Sequence, residues 1–133
     1  MKLILTTFFF ALAFTTFGQQ SKISAKEIYT GKAGAFSMTV YIETVQTFST
    51  DFNDFITTAH KGWYKKANGL KISIYDTWEG SGPMTFKETI NGKKVTTLEL
   101  EDYTEEGKRK TLKGTLKKNG KTENVTLTLQ KKL

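Results

Sequence analysis

The chain has 133 residues, 38% hydrophobic and 25% charged, with no cysteine, one proline, one histidine and a net charge of +7. One domain with its own core is the expectation at this length, and the lack of cysteine excludes disulfides, thiolate metal sites, cysteine nucleophiles and a lipidated cysteine anchor. His60 is the single imidazole, so His-rich metal sites are excluded and a histidine triad has one candidate base.

Met1 to Gly18 read as a secretory signal: Lys2, then a run of Leu, Ile, Phe and Ala, then small residues near Gly18. The apolar run from Leu3 to Phe17 is fifteen residues long and holds four threonines, short of the roughly 20 apolar residues of a membrane span. Cleavage is expected near Gly18–Gln20, with a cut after Ala13 as the alternative. The expected organisation is a signal over 1–19 and one domain over 20–133, secreted or periplasmic, with no transmembrane span in the mature form.

Beyond Gln20, apolar and polar residues alternate with the period of strands. Phe36, Met38, Val40 and Ile42 share one face; so do Leu70, Ile72 and Ile74, and Met84 and Phe86 with Glu88 as the polar exception. Leu98 with Leu100, Leu112 with Leu116, and Val125, Leu127 and Leu129 continue the pattern. Three Asn-Gly pairs, at 68–69, 91–92 and 119–120, fall between these runs and mark hairpins. A two-residue turn at Asn119-Gly120 pairs Leu116 with Glu123, Gly114 with Val125 and Leu112 with Leu127. A three-residue loop Ala67–Gly69, with Gly69 in the left-handed bulge position, pairs Tyr64 with Ile72 and Gly62 with Ile74. A like loop over Ile90–Gly92 sets Met84 opposite Leu98 and Glu88 beside Lys94. Pairing Leu100 with Leu112 sets Glu99 against Lys113 and Asp102 against Lys110. Over 45–59, the helical spacing of Val45, Phe48, Phe52, Phe55, Ile56 and Ala59 competes with a β-branched, threonine-rich composition; a short helix or irregular loop is expected there, with a strand equally compatible.

About eight strands in hairpin order, without long crossovers, predict an all-β, antiparallel up-and-down meander closed or partly open as a small barrel. Its inward groups would include Gly62, Gly114, Ala67 and Val125 beside Tyr64, Phe86 and Phe36, a mixture that either fills the interior or leaves room for one small ligand.

Tyr29-Thr30-Gly31 before the Phe36–Ile42 run, Gly62-Trp63-Tyr64 before Leu70–Ile74, the strand Met84-Thr85-Phe86-Lys87-Glu88, and Gly114-Thr115-Leu116 form a recurring signature. In this the chain resembles a family of small secreted bacterial proteins whose motif runs Tyr-x-Gly, Gly-x-Tyr, an apolar strand ending in Glu, and a Gly-x-Trp hairpin; Leu116 stands where that family has Trp. The resemblance implies a β-meander or barrel and carries no activity.

No Gly-x-Ser-x-Gly elbow accompanies His60, whose parity with Gly62 and Tyr64 points it toward the core as a hydrogen-bonded structural histidine. Glu88 is the best lone carboxylate, either in an ion pair or touching a ligand at a barrel mouth; Asp76 and Asp102 sit at strand ends, which is thin support for paired-carboxylate hydrolysis. Asp51-Phe52-Asn53-Asp54 lacks the glycine and bidentate glutamate of a calcium loop, and Glu79–Pro83 lacks the lysine and helix of a phosphate loop. No metal and no cofactor are expected.

Charge is uneven: ten lysines face twelve acids over 19–107, whereas 108–133 hold eight lysines and Arg109 against Glu123 alone. A single arginine, no aromatic after Tyr103 and an extracytoplasmic location argue against nucleic acid. Lys117, Lys118 and Lys121 at the last turn are read as a solvated, edge-protecting face or as a contact for an anionic surface. Trp63 lies opposite Ser73 on the face of Lys61, Lys65 and Lys71, where it could stack on a sugar or meet a partner, but core packing is the favoured reading for it and for Trp78, and a bulge would reverse either parity. Trp78 has core parity at a rim position. Trp63, Tyr64, Trp78 and Glu88 are therefore the candidate ligand-binding residues. The expected function is that of a secreted, non-enzymatic barrel for a small apolar or glycan-like ligand or an envelope partner. The alternatives are a small hydrolase or lyase using Glu88 with His60 or Tyr64, and a structural or inhibitory protein acting through its surface.

Overall fold

The computed structural model describes residues 19–49, 55–67, 69–78, 82–90 and 93–133. The signal segment, the acids of 51–54, Asn68, Glu79–Ser81 and the Asn91-Gly92 turn fall outside the described residues. Eight strands follow one another: β1 (Gln19–Ala33), β2 (Phe36–Ser49), β3 (Phe55–Lys66), β4 (Ile72–Trp78), β5 (Met84–Ile90), β6 (Lys93–Asp102), β7 (Thr111–Lys118) and β8 (Lys121–Lys132). Each pairs antiparallel with the next, and β8 returns to β1 through Glu27↔Lys132 to Ala33↔Val125, closing the barrel. The all-β, up-and-down expectation holds, and closure removes the sheet edge along the paired strands. The β1–β2, β3–β4, β5–β6 and β7–β8 connections lie at one end, called here the hairpin end; Gln19 and Leu133 lie at the terminal end.

Alternation sorts the side chains. Met38, Val40, Ile42, Tyr64, Ile74, Phe86, Leu98, Leu100, Leu112, Leu116, Val125 and Leu127 are buried in one interior cluster with Tyr29 and Ala33. Burying each such Val, Leu, Ile or Phe contributes about 1.5–3 kcal/mol. Intervening positions such as Thr39, Lys61, Lys87, Glu99 and Lys117 take the outer face. That polarity inverts the apolar-out pattern of membrane-spanning barrels. Among the described residues no helix is long and apolar enough to cross a membrane.

Three glycines let the sheet close. A Cβ on Gly31, Gly62 or Gly114 would fall 1.8, 1.8 or 1.7 Å from the carbonyl oxygen of Thr126, Tyr41 or Glu99 on the neighbouring strand. All three occupy interior-facing positions, where a missing side chain lets adjacent backbones crowd together as the sheet bends. They are also the glycines of the recurring signature, and each has a large interior residue two positions away: Tyr29, Tyr64 and Leu116.

The last hairpin matches its expected register throughout, with Leu116↔Glu123, Gly114↔Val125 and Leu112↔Leu127. Asn119 (φ 52°) and Gly120 (φ 78°) supply the two left-handed residues of its turn. Tyr64↔Ile72 and Gly62↔Ile74 also hold. The Gly69 N–H donates to the Lys66 carbonyl at 2.8 Å, an i to i+3 bond compatible with the three-residue loop.

Two registers slip by two residues. Met84 faces Leu100 rather than Leu98, because the pairing closes at Ile90↔Lys93, one residue tighter than the expected loop, and an irregularity between Glu88 and Thr89 absorbs one more; Glu88 consequently faces Thr96, not Lys94. Leu100 faces Gly114 rather than Leu112, so Glu101, not Glu99, stands opposite Lys113, and Asp102 stands opposite Leu112. A two-residue slip leaves every side chain on its face, so the apolar pattern cannot resist it. The helix or loop expected over 45–59 is replaced by strand on both sides: β2 continues to Ser49 and β3 starts at Phe55. Cross-strand pairs such as Val45↔Ala59 and Thr47↔Thr57 satisfy the backbone there, and the β-branched composition wins over helical spacing. Phe36 and Ala67, expected inside, are exposed at the hairpin end.

Candidate functional site

Toward the hairpin end the interior turns polar. Tyr64 on β3, Glu88 on β5 and Thr96 on β6 all have interior parity, and Glu88 is the cross-strand partner of Thr96. Tyr64 and Thr96 are each 1% exposed. The Tyr64 hydroxyl, Glu88 Oε2 and Thr96 Oγ1 are buried and form no hydrogen bond of good geometry, although Thr96 and Glu88 lie within hydrogen-bonding reach of the Tyr64 phenol. They lie close enough to act on one another: burial pushes the Tyr64 phenol up, contact with Thr96 pulls it down, and the Glu88 carboxylate pushes it up again. A buried polar group left unpaired costs about 1–3 kcal/mol, so three groups that satisfy one another poorly are either a cost of folding or a receptor. Together they offer hydroxyl donors from Tyr64 and Thr96 and a carboxylate acceptor from Glu88.

A latch covers this end. The Lys66 ammonium donates to Glu123 Oε1 at 2.6 Å and sits 4.9 Å from the Phe36 ring centroid. Lys66 comes from β3 and Glu123 from β8, so the bond ties strands separated by β1 and β2.

A second polar group occupies the terminal half. His60 faces Asp76 across β3 and β4, and Nδ1 lies 3.2 Å from Asp76 Oδ2, both side chains buried. The Trp78 and Phe86 rings lie 5.5 and 6.0 Å from the imidazole. Trp78 has the expected rim position; its indole N–H donates to the Gly82 carbonyl at 3.1 Å. The acid–base set of the hydrolase alternative is thus divided: Tyr64 meets Glu88, whereas His60 is held by Asp76. Beside them, the Tyr29 hydroxyl donates to Glu27 at 3.0 Å, and Lys110 reaches Glu27 at 3.6 Å. Burial, reinforced by the Glu27 charge, drives the Tyr29 phenol far above its ordinary range.

Trp63 pairs with Ser73 as expected, which keeps it on the outer face and overturns the core packing favoured for it, because no bulge intervenes in the β3–β4 pairing. Lys71 caps its ring at 4.5 Å and Tyr41 lies 5.9 Å away. Lys117, Lys118 and Lys121 are all exposed but do not form one outward cluster. Lys117 shares the outer face with Thr122, and Lys118 pairs with Lys121 on the interior parity at the rim.

Sequence reasoning singled out Tyr64 and Glu88 but missed Thr96, whose place beside them depends on the irregularity after Glu88. It also missed the Lys66–Glu123 latch and a shallow cleft of about 440 Å³ lined by Ile23, Ser24, Ala25, Lys26, Tyr41 and Leu133, where β1 shifts register against β2. Parity does place Glu123 inside, which was the one available signal for the latch. Among the described residues no three metal-ligating side chains gather.

Comparison with known proteins finds no matching family model, no matching curated protein and no matching solved structure.

Proposed function

We propose that this chain is a secreted, non-enzymatic barrel that holds one small ligand, with an apolar body and a polar group, in the hairpin-end half of its interior. The carrying observation is the convergence of the Tyr64 hydroxyl, Glu88 Oε2 and Thr96 Oγ1, buried without a hydrogen bond of good geometry in an interior otherwise lined by apolar side chains. A ligand hydroxyl or amine suits this set: it donates to the carboxylate while the tyrosine and threonine hydroxyls orient around it. Binding rather than catalysis is supported by the placement of His60, the single imidazole, which Asp76 holds in the terminal half, four residues along β3 from Tyr64. Secretion is supported by the signal-like Met1–Gly18 and by the resemblance to small secreted bacterial proteins.

Native mass spectrometry of protein purified from the envelope of its own host tests the reading. The expected result is a small-molecule adduct that is lost from the Tyr64→Phe and Glu88→Gln variants while both remain folded. Bare protein mass, with Tyr64→Phe raising the melting temperature, overturns it: the three groups are then only a cost of folding.

A further inference from the structure

The registers of five consecutive strand pairs carry one row of side chains around the outside of the barrel. Glu43 on β2 faces Lys61 on β3, which faces Tyr75 on β4. Tyr75 faces Lys87 on β5, Lys87 faces Thr97 on β6, and Thr97 faces Lys117 on β7. Their chain neighbours His60, Gly62, Ile74, Phe86, Leu98 and Leu116 take the interior parity, so this row points outward. Lys61, Lys87 and Lys117 are exposed, and Tyr75 is 56% exposed. The sequence shows these residues at positions 61, 75, 87 and 117; only the pairing brings them into line.

We propose that this row is a binding surface for a linear acidic polysaccharide running across the strands. Strands lie about 4.8 Å apart, so the backbones of Lys61, Lys87 and Lys117 follow one another at intervals of about 10 Å along the curved wall, and a chain that meets all three wraps around the barrel from β3 to β7. That spacing suits a polymer carrying charge periodically better than a single small anion. Tyr75 stands between the first two lysines, where its ring can meet the apolar face of a sugar. One carboxylate, Glu43, belongs to the row; it lies 3.6 Å from Lys61 and accepts from the Tyr41 hydroxyl. Among the described residues no carboxylate reaches ion-pair distance of Lys87 or Lys117. Lys65 and Lys71 flank the same face beside Trp63, extending the positive field.

The shape and residue types favour a polysaccharide over other polyanions. The row has no arginine, the residue that grips phosphate in a fork. It has one aromatic platform on a convex face, not the successive platforms in a groove that single-stranded nucleic acid uses. It has no large exposed aliphatic or tryptophan that would enter a lipid headgroup layer. This site is separate from the interior one, and either can fail without the other.

Binding of the purified full chain to fluorescent oligomers of polygalacturonate and of dextran sulfate, with neutral dextran as control, tests the proposal and distinguishes carboxylate from sulfate. The expected result is binding to at least one acidic oligomer that weakens as salt rises and drops about tenfold in a Lys61→Gln/Lys87→Gln/Lys117→Gln variant. A control variant, Lys108→Gln/Lys131→Gln/Lys132→Gln, removes the same charge off the row and is expected to bind within twofold of wild type. Tyr75→Ala is expected to weaken the residual binding at high salt, because ring stacking is not screened. Unchanged circular dichroism and melting temperature establish that each variant is folded. The proposal is overturned by no binding at low salt, by equal losses in the two triple variants, or by equal or tighter binding to oligothymidylate or phosphatidylglycerol vesicles.

Discussion

Lys66 and Glu123, 57 positions apart in the chain, meet at 2.6 Å across the hairpin end of the barrel, and the Lys66 ammonium rests over the Phe36 ring. The terminal end carries a related pair, Lys110 with Glu27 at 3.6 Å. In both, a lysine from near a strand end reaches a glutamate of interior parity, so each end of the core is bounded by charge that stays in touch with water. This is how an apolar interior can stop without exposing its last layer. The Lys66–Glu123 side chains are 32% and 28% exposed, which screens their attraction but leaves a short charge-assisted bond.

A double-mutant cycle of Lys66→Met and Glu123→Gln is expected to give a coupling energy of about 1 kcal/mol, the upper part of the range for pairs in contact with solvent. Urea melts of the four proteins measure it. A coupling indistinguishable from zero would mean the latch holds nothing together.

Gly114→Ala and Gly62→Ala are each expected to destabilise by more than about 3 kcal/mol, or to prevent folding, because the new methyl meets backbone that cannot swing aside. Gly107 makes the contrast: it has φ 76° and nothing within 4 Å of an added Cβ, so Gly107→Ala is expected to cost only about 1 kcal/mol through backbone conformation. Equal losses at Gly107 and Gly114 would refute the close-approach argument.

At the last turn, Gly120→Ala is expected to cost about 1 kcal/mol, and Asn119→Gly to change stability by less than about 0.5 kcal/mol, since glycine accepts the left-handed conformation asparagine already holds. Chemical denaturation of the two variants decides this, and the reverse order would rule out the turn as described.

Tyr64 governs an alkaline limb. Its folded-state pKa is raised, chiefly by burial, so its contribution is complete below the unfolded value of about 10 and declines as pH rises above it. Tyr64→Phe removes this titration. The variant is expected to lose stability less steeply above about pH 10 than the wild type, in urea melts across that range. Parallel curves would show that Tyr64 is not in a buried neutral state.

Asp102 governs the acid side of the β6–β7 connection. Its carboxylate is held below the ordinary aspartate range, first by the Thr104 hydroxyl, against an opposing effect of burial; the Thr104 N–H and Lys110 also favour the charged form. Thr104 in turn accepts from the Thr111 N–H at 3.0 Å, closing the connection onto β7. A lowered pKa stabilises above the unfolded value of about 3.9 and is lost as pH falls through the folded one. Asp102→Asn is expected to cost a few tenths of a kcal/mol at neutral pH, the scale for an exposed group, and to flatten the acid limb. An unchanged acid limb would remove Asp102 from the account.

Which face each side chain takes was legible in the sequence, and so was much of the candidate site. Period-2 alternation put Glu88 inside with Phe86 and Tyr64 inside with Gly62, its outward parity for Trp63 held where the core packing favoured for that residue did not, and Asn119-Gly120 determined the register of its own hairpin. A turn of defined length counts residues outward from itself, and alternation needs no partner. The remaining relationships belong to the tertiary structure alone. Alternation repeats every two residues, so Leu98 and Leu100 were equally good partners for Met84, and the closure at Ile90↔Lys93 together with the irregularity after Glu88 chose between them. That choice brought Thr96 to Glu88. The closure of β8 on β1, the latch between Lys66 and Glu123 and the outer row from Lys61 to Lys117 each require several registers at once. Residues far apart in the chain become neighbours only when every intervening pairing is set, and cross-strand packing and backbone crowding at Gly31, Gly62 and Gly114 set those pairings.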